Sequence, residues 1–168
     1  TIGGKISTVE IAGLPIDGGP DAFLVREPEM KELCSSLGVA NELVAPDSRS
    51  AKIWVDGSMQ ALPKSQFLGI PLALDELSSL NLISPEGIAI AQNDLTAKDN
   101  ARDDDETVGS LIRRRLGHEV MEKLVGPLLG GINAGDPDKI SLKSGVPYLS
   151  AAASLDPSLI RSLSLIHI

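Results

Sequence analysis

Gly3-Gly4-Lys5-Ile6-Ser7-Thr8-Val9-Glu10-Ile11-Ala12-Gly13-Leu14-Pro15-Ile16-Asp17-Gly18-Gly19-Pro20-Asp21 is the stretch on which the reading of this chain turns. Over residues 5–11 apolar and polar side chains alternate and β-branched residues are frequent, the pattern of a half-buried strand. Ala12-Gly13 turns the chain back into Leu14-Pro15-Ile16-Asp17, so the two runs predict a hairpin. Gly18-Gly19-Pro20-Asp21 follows at once. Backbone without a Cβ can take unusual dihedrals there and come close to a bound ligand. The same four residues also read as an ordinary surface turn.

Working outward, residues 29–37 carry Met30, Leu33, Cys34 and Leu37 at helical spacing, and Gly38 supplies a stop. Lys52-Ile53-Trp54-Val55, Asp56-Gly57 and residues 58–62 predict a second hairpin around a strong turn dipeptide. Across residues 69–95, Pro71 and Pro85 are each placed to open a short helix. Residues 99–105 form a polar break expected to be an exposed loop. Residues 107–116 and 119–129 read as two helices hinged at Gly117, and residues 130–137 as a tight glycine-rich turn. No internal repeat is visible. The order hairpin, helix, hairpin, helices predicts a mixed α/β, or α+β, chain.

A length of 168 residues is enough to bury a real core, and 42% apolar with 23% charged residues is ordinary for a globular protein. Aromatic residues make up only 2%, so the core must be built from Leu, Ile, Val and Ala. That scarcity argues against stacking platforms for single-stranded nucleic acid. The net charge of −8 argues against nucleic acid again, because phosphate binding needs a basic face. Asp103-Asp104-Asp105-Glu106 before Arg113-Arg114-Arg115 reads as one helix with acids at its start and cations near its end. The single cysteine, Cys34, excludes an internal disulfide framework and a cysteine zinc site, and is expected in the core. Neither a signal peptide nor an apolar run of membrane-spanning length is present, which suggests a reducing, cytoplasmic setting. The opening at Thr1 is expected to be a cut within a longer protein. The apolar end at Ser162-Leu163-Ser164-Leu165-Ile166-His167-Ile168 reads either as genuine sequence or as read-through of a broken coding sequence, in neither case a natural domain end.

Several chemical signatures fail on inspection. There is no Gly-x-Gly-x-x-Gly phosphate turn. Residues 126–131 have Walker-loop glycine spacing, but Ile132 stands in the lysine position, so a plain loop is expected. His118-Glu119 begins a metalloprotease signature that Glu122 breaks where the second histidine belongs, leaving His118 as a surface residue. With two histidines in all, neither a Ser-His-Asp triad nor a histidine metal site has support, and no metal is expected. The acidic run before residue 107 lacks the spacing of a calcium loop and reads as a helix cap.

Four segments, in order, resemble the protoporphyrinogen/coproporphyrinogen oxidase family. They are Gly3-Gly4-Lys5-Ile6 leading to Ile16-Asp17-Gly18-Gly19-Pro20-Asp21-Ala22-Phe23-Leu24; Leu33-Cys34-Ser35-Ser36-Leu37-Gly38 running into Leu62-Pro63-Lys64; Asp105-Glu106-Thr107-Val108 with Arg114-Arg115-Leu116-Gly117-His118-Glu119-Val120; and Pro127-Leu128-Leu129-Gly130-Gly131-Ile132-Asn133-Ala134-Gly135-Asp136-Pro137 with Ile140-Ser141-Leu142 and Val146-Pro147. Ala22 departs from a common serine and Asn133 from a common aromatic.

The resemblance implies an internal fragment of an FAD-linked reductase-like flavoprotein. Residues 1–50 would form part of the FAD-binding domain without its upstream Gly-x-Gly-x-x-Gly unit. Residues 51–66 would be a substrate-domain hairpin, 67–135 a helical domain, and 136–168 a return into the substrate domain. Gly4, Lys5, Gly19, Pro20, Asp21 and Ala22 would lie against FAD, with glycines permitting close approach. The implied activity is oxidation of coproporphyrinogen III or protoporphyrinogen IX to the porphyrin in haem biosynthesis, with oxygen as final acceptor. Gly69-Ile70-Pro71 and the helix led by Pro85 are closer to the bacterial coproporphyrinogen branch. No acid–base residue is implied. Lys52, Lys64 and Lys143 are candidates for substrate carboxylates, and the apolar runs at residues 67–70 and 88–90 for core packing or docking. The setting would be cytoplasmic, with peripheral contact at the inner face of a membrane left open, and the fragment alone inactive. An amine oxidase or phytoene desaturase relative, or a non-enzymatic remnant, are the alternatives.

Overall fold

The computed structural model describes Gly4 and residues 7–19, 22–23, 28–47, 51–98, 104–133 and 135–166. The chain divides into two compact units, Thr1–Arg49 and Ser50–Ile168.

In the first unit, β1 (Thr8–Ile11) pairs antiparallel with β2 (Leu14–Asp17), with Thr8 opposite Asp17 and Ile11 opposite Leu14. Ala12 at φ 52° and Gly13 at φ 81° both take the left-handed conformation that a tight hairpin turn requires. Lys5 and Ile6, expected in the first strand, lie outside the described residues. Helix α1 (Pro28–Ser36) stops at Gly38, φ 76°, where the Val39 N–H donates to the Cys34 carbonyl. Cys34 is the one buried side chain among the described residues of this unit; Met30, Leu33 and Leu37 are exposed. The helical period is therefore as expected, but its apolar face is uncovered. A two-stranded ribbon and one short helix cannot enclose a core by themselves.

The second unit opens with the predicted hairpin. β3 (Lys52–Val55) pairs with β4 (Ser58–Ala61) around Asp56 at φ 50° and Gly57 at φ 78°. Ile53 and Val55 are buried, whereas Trp54 and its cross-strand partner Met59 are exposed. β5 (Gln66–Phe67) then pairs with β6 (Ile70–Pro71). Pro71 was expected to open a helix and instead ends a strand opposite Gln66, a position where its missing N–H costs nothing. Helix α2 (Leu74–Leu80) starts three residues later and ends at left-handed Asn81. Helix α3 (Pro85–Gln92) begins as predicted, with Pro85 in its first turn and the Ser84 hydroxyl accepting the Gly87 N–H.

A 3-10 turn, Asn93–Thr96, leads out of α3. Of the expected loop at 99–105, residues 99–103 lie outside the description, and Asp104 and Asp105 are exposed. Helix α4 (Val108–Leu116) is capped by Thr107 and carries the three arginines in its last turn. The acidic run is thus not its cap. Asp105 accepts the Ser141 hydroxyl at 2.6 Å and the Lys143 N–H at 3.1 Å, and its carboxyl is held below the usual range by those bonds, Ser141 first. Glu106 pairs with Arg114.

Gly117, φ 89°, breaks the helix as predicted, and α5 (His118–Val120) follows with the His118 side chain exposed. The chain then stays helical through a π turn, Met121–Val125, into α6 (Gly126–Asn133). The helix expected over residues 119–129 is therefore present, but the plain loop read over 126–131 and the tight turn expected from residue 130 are helical instead as far as Asn133. The reason for the difference lies in what the glycine does: a Cβ at Gly126 would sit 2.9 Å from the Met121 carbonyl oxygen, so the small residue fits the wide turn. Helices α7 (Leu142–Gly145), α8 (Pro147–Leu155) and α9 (Leu159–Ile166) complete the unit.

The core is aliphatic, as the composition required, with Leu77, Leu111, Ile112, Leu124, Leu149 and Leu163 all fully buried. Phe67 and Ile70 belong to this core. Ile90 does not and is exposed. Ser162 and Leu163 are buried too, so α9 is an integral part of the unit.

One contact ties α3 to α5. The Glu119 carboxylate accepts both the Ser84 hydroxyl and the Ser84 N–H at 2.7 Å, which holds its pKa below the ordinary value of 4.5. A depressed carboxyl contributes stability above its unfolded pKa and loses it as pH falls through the folded value. Stability should therefore drop below pH 4.5 in the wild type. Glu119→Gln should show a shallower acid limb in a pH titration followed by circular dichroism. An unchanged limb would mean that Glu119 is not the group responsible.

Candidate functional site

The two segments proposed to meet a cofactor are brought together by the first hairpin. Pairing runs from Ile11 opposite Leu14 to Thr8 opposite Asp17, and the Gly18 N–H then donates to the Ser7 carbonyl at 2.7 Å. Gly4 precedes Ser7 by three residues, so it lies within about 10 Å of that closing bond. Gly19 follows Gly18 directly. The strand register thus gathers residues from both ends of the hairpin sequence at its open end.

Gly4 is exposed at φ 28°, Gly19 is half-buried, and Ala22 is exposed. Lys5, Pro20 and Asp21 lie outside the described residues. At Gly18 a Cβ would stand 3.1 Å from the Ser7 hydroxyl, a tight contact that the exposed Ser7 side chain would have to yield by a few tenths of an ångström. The end of the hairpin is therefore built of backbone with little side chain. Such a surface can offer peptide N–H and C=O groups to the polar atoms of a planar cofactor at close range. On that chemistry the residues present fit a flavin.

In the second unit, the outer face of β3 and β4 carries Lys52, Trp54, Met59 and Ala61, all exposed. Trp54 is 66% and Met59 57% accessible although they face each other across the strands, giving an apolar ledge with an ammonium at one end. The inner face, Ile53 and Val55, packs into the core. Lys64 and Lys143 sit on other elements: the Lys64 N–H donates to Glu76, and Lys143 is in the first turn of α7. No group of His, Cys, Asp and Glu among the described residues could hold a metal ion.

The sequence reading missed one buried polar node. Asp94, in the 3-10 turn after α3, accepts the Ser158 hydroxyl at 2.8 Å and the Leu159 and Ile160 N–H groups at 3.2 and 3.0 Å. Its carboxylate thereby caps α9 from a distant part of the chain. Arg115, on α4, donates to Asp94 at 3.4 Å and to the Pro157 carbonyl. The one signal that could have found it is an acid following the apolar run Ile88-Ala89-Ile90-Ala91.

Comparison with known proteins gives this geometry its context. The flavin containing amine oxidoreductase family matches over residues 1–162. The chain belongs to that family. Its mixed strand-and-helix architecture is accordingly part of that family's FAD-binding fold. Within the family it is 38% identical over 159 residues to coproporphyrinogen III oxidase of Bacillus subtilis (strain 168), covering 95% of this chain and 34% of the relative. Coproporphyrinogen III oxidase of Staphylococcus aureus (strain NCTC 8325 / PS 47) is 35% identical over 162 residues, covering 96% and 35%. A crystal structure from Exiguobacterium sp. 255-15, described as a candidate protoporphyrinogen oxidase, superposes with TM-score 0.82 at 31% identity, over 96% of this chain and 37% of that one. The chain thus spans about a third of the length of these relatives.

Proposed function

We propose that the protein to which this chain belongs oxidises a porphyrinogen to the porphyrin, with FAD as cofactor and oxygen as final acceptor, and that coproporphyrinogen III is its substrate. The observation that carries this reading is sustained identity to coproporphyrinogen III oxidases across nearly the whole chain, 38% over 95% of it in one case. Gly4, Lys5, Gly19, Pro20, Asp21 and Ala22 hold the cofactor. The glycine backbone would permit its close approach, and Lys5 would offer a positive donor to its polar groups. When bound, FAD supplies the two-electron acceptor that no side chain can provide.

The remaining work falls to binding. The apolar ledge of Trp54 and Met59 suits the apolar pyrrole faces of a large macrocycle, which aromatic and thioether side chains cover well. Lys52 at its end suits a carboxylate. Coproporphyrinogen III carries propionates where protoporphyrinogen IX carries vinyl groups, so a cation beside the ledge favours the former. In this arrangement residues 1–50 contribute to the FAD domain, 51–66 and 136–168 to the substrate domain, and 67–135 to a helical domain. No helix among the described residues is long and apolar enough to cross a membrane. We place the reaction in the cytoplasm, in haem biosynthesis, with any membrane contact peripheral.

Porphyrin fluorescence on the full-length protein tests the assignment. Fast growth is expected with coproporphyrinogen III and little with protoporphyrinogen IX. The reverse preference would move the protein to the protoporphyrinogen branch. Turnover of an amine or a carotenoid, with none on either porphyrinogen, would overturn the proposal.

A further inference from the structure

The three methionines of the chain sit in different settings. Met121 is 2% accessible, within the π turn and the core. Met30, on α1 of the first unit, is 42% accessible, and Met59, on β4, is 57% accessible. Met59 faces Trp54 directly across the hairpin. Residues so placed have Cβ atoms about 4.5–5.5 Å apart, which brings the thioether within reach of the indole. The same two strands are anchored by their other face, through Ile53 and Val55 in the core. Met59 therefore supplies a soft apolar surface to the outside of the hairpin and takes no part in that anchorage.

A thioether open to solvent is a two-electron reductant for peroxides. Oxygen that reoxidises a two-electron-reduced flavin leaves as hydrogen peroxide, so a protein with the activity proposed above makes the oxidant itself. In the reaction the O–O bond of the peroxide breaks and an S–O bond forms. Sulfur loses two electrons, and the second peroxide oxygen departs as water.

We infer that Met59 is an oxidation site for hydrogen peroxide and that its sulfoxide weakens porphyrinogen binding at the Trp54 ledge. The inference rests on the proposed function for its substrate and for the source of its oxidant. A sulfoxide is polar and hydrated, so covering it with an apolar macrocycle costs a desolvation that the thioether does not. On the outer face this change reaches binding and spares the fold. At Met121 it would disrupt the core, but burial shields that sulfur. A loss of binding alone raises KM and leaves kcat in place.

The test exposes the full-length protein to hydrogen peroxide, quenches with catalase and maps the peptides by mass spectrometry. Porphyrin fluorescence then gives KM and kcat for coproporphyrinogen III. The Met59 peptide should gain one oxygen while the Met121 peptide stays unmodified. KM should rise several-fold, with kcat changed by less than about twofold. Methionine sulfoxide reductases should return KM to its starting value. Met59→Leu should hold through the treatment whatever KM it starts with, and Met30→Leu should show the wild-type rise. An unmodified Met59, or a rise in KM that Met59→Leu shares, overturns the inference. A protein that turns over no porphyrinogen removes the functional reading and the binding consequence with it, and the peptide map alone then decides whether Met59 is a peroxide site.

Discussion

Replacing Asp94 by alanine should unfold the helical unit or leave it barely stable. The carboxylate is fully buried and Arg115 beside it is 1% exposed, so removing one partner strands a buried charge. That costs about 3–5 kcal/mol. The same substitution strips the cap from α9, which adds roughly 1 kcal/mol. Set against a total stability of about 5–15 kcal/mol for an ordinary domain, the sum is decisive. The effect should be non-additive. In the double variant Asp94→Leu with Arg115→Met no charge is left buried, and much of the loss should return. Urea denaturation of the wild type, Asp94→Leu, Arg115→Met and the double variant measures the cycle. A single-variant cost below about 1 kcal/mol, the size of an exposed pair, would show that this node does not hold α9.

Gly69→Ala is the second large effect, and Gly57→Ala is its internal control. Both glycines close hairpins at positive φ, 83° and 78°. The left-handed conformation alone costs a Cβ-bearing residue about 1–2 kcal/mol. Around Gly57 an added Cβ meets nothing within 4 Å. At Gly69 it would lie 2.7 Å from the Leu124 carbonyl oxygen and 2.9 Å from the Val125 Cα, both backbone atoms of the π turn. Backbone cannot swing aside as a side chain can, so an overpacking cost of about 1–3 kcal/mol is added. Gly69→Ala should therefore lower the denaturation midpoint by roughly twice as much as Gly57→Ala. Equal effects would mean that the β5–β6 turn does not lock against the π turn.

The contrast between these glycines also shows what a sequence can and cannot say. Asp56-Gly57, Gly38, Gly117 and Ser84-Pro85 act locally, and each did what its type predicts at its position. Gly126, Gly130 and Gly131 have the same composition as a turn yet lie in a helix, because the constraint on Gly126 is the carbonyl of Met121 and not a change of direction. Pro71 is ambiguous for a similar reason, since a missing N–H suits a strand end as well as a helix start. The Asp94–Arg115 node joins residues 21 apart, and Asp94 reaches Ser158 across 64; no local pattern encodes such a pairing.

The candidate cofactor site was legible in a different way. Its segments could be picked out by order and spacing, but the register that joins Ser7 to Gly18 had to be seen in the fold. The apolar spacing of α1 was equally legible, while its exposure follows from how little of the first unit's surface its own elements can cover. Lys5, Pro20 and Asp21 remain proposals on sequence grounds.

The central claim is a flavin that takes electrons from a porphyrinogen, and anaerobic mixing of the full-length protein with coproporphyrinogen III reads it directly. The protein should be isolated yellow, lose the oxidised-flavin band as porphyrin fluorescence appears, and regain the band when oxygen is admitted. A protein that holds no flavin, or whose flavin stays oxidised in the presence of the porphyrinogen, would contradict the claim.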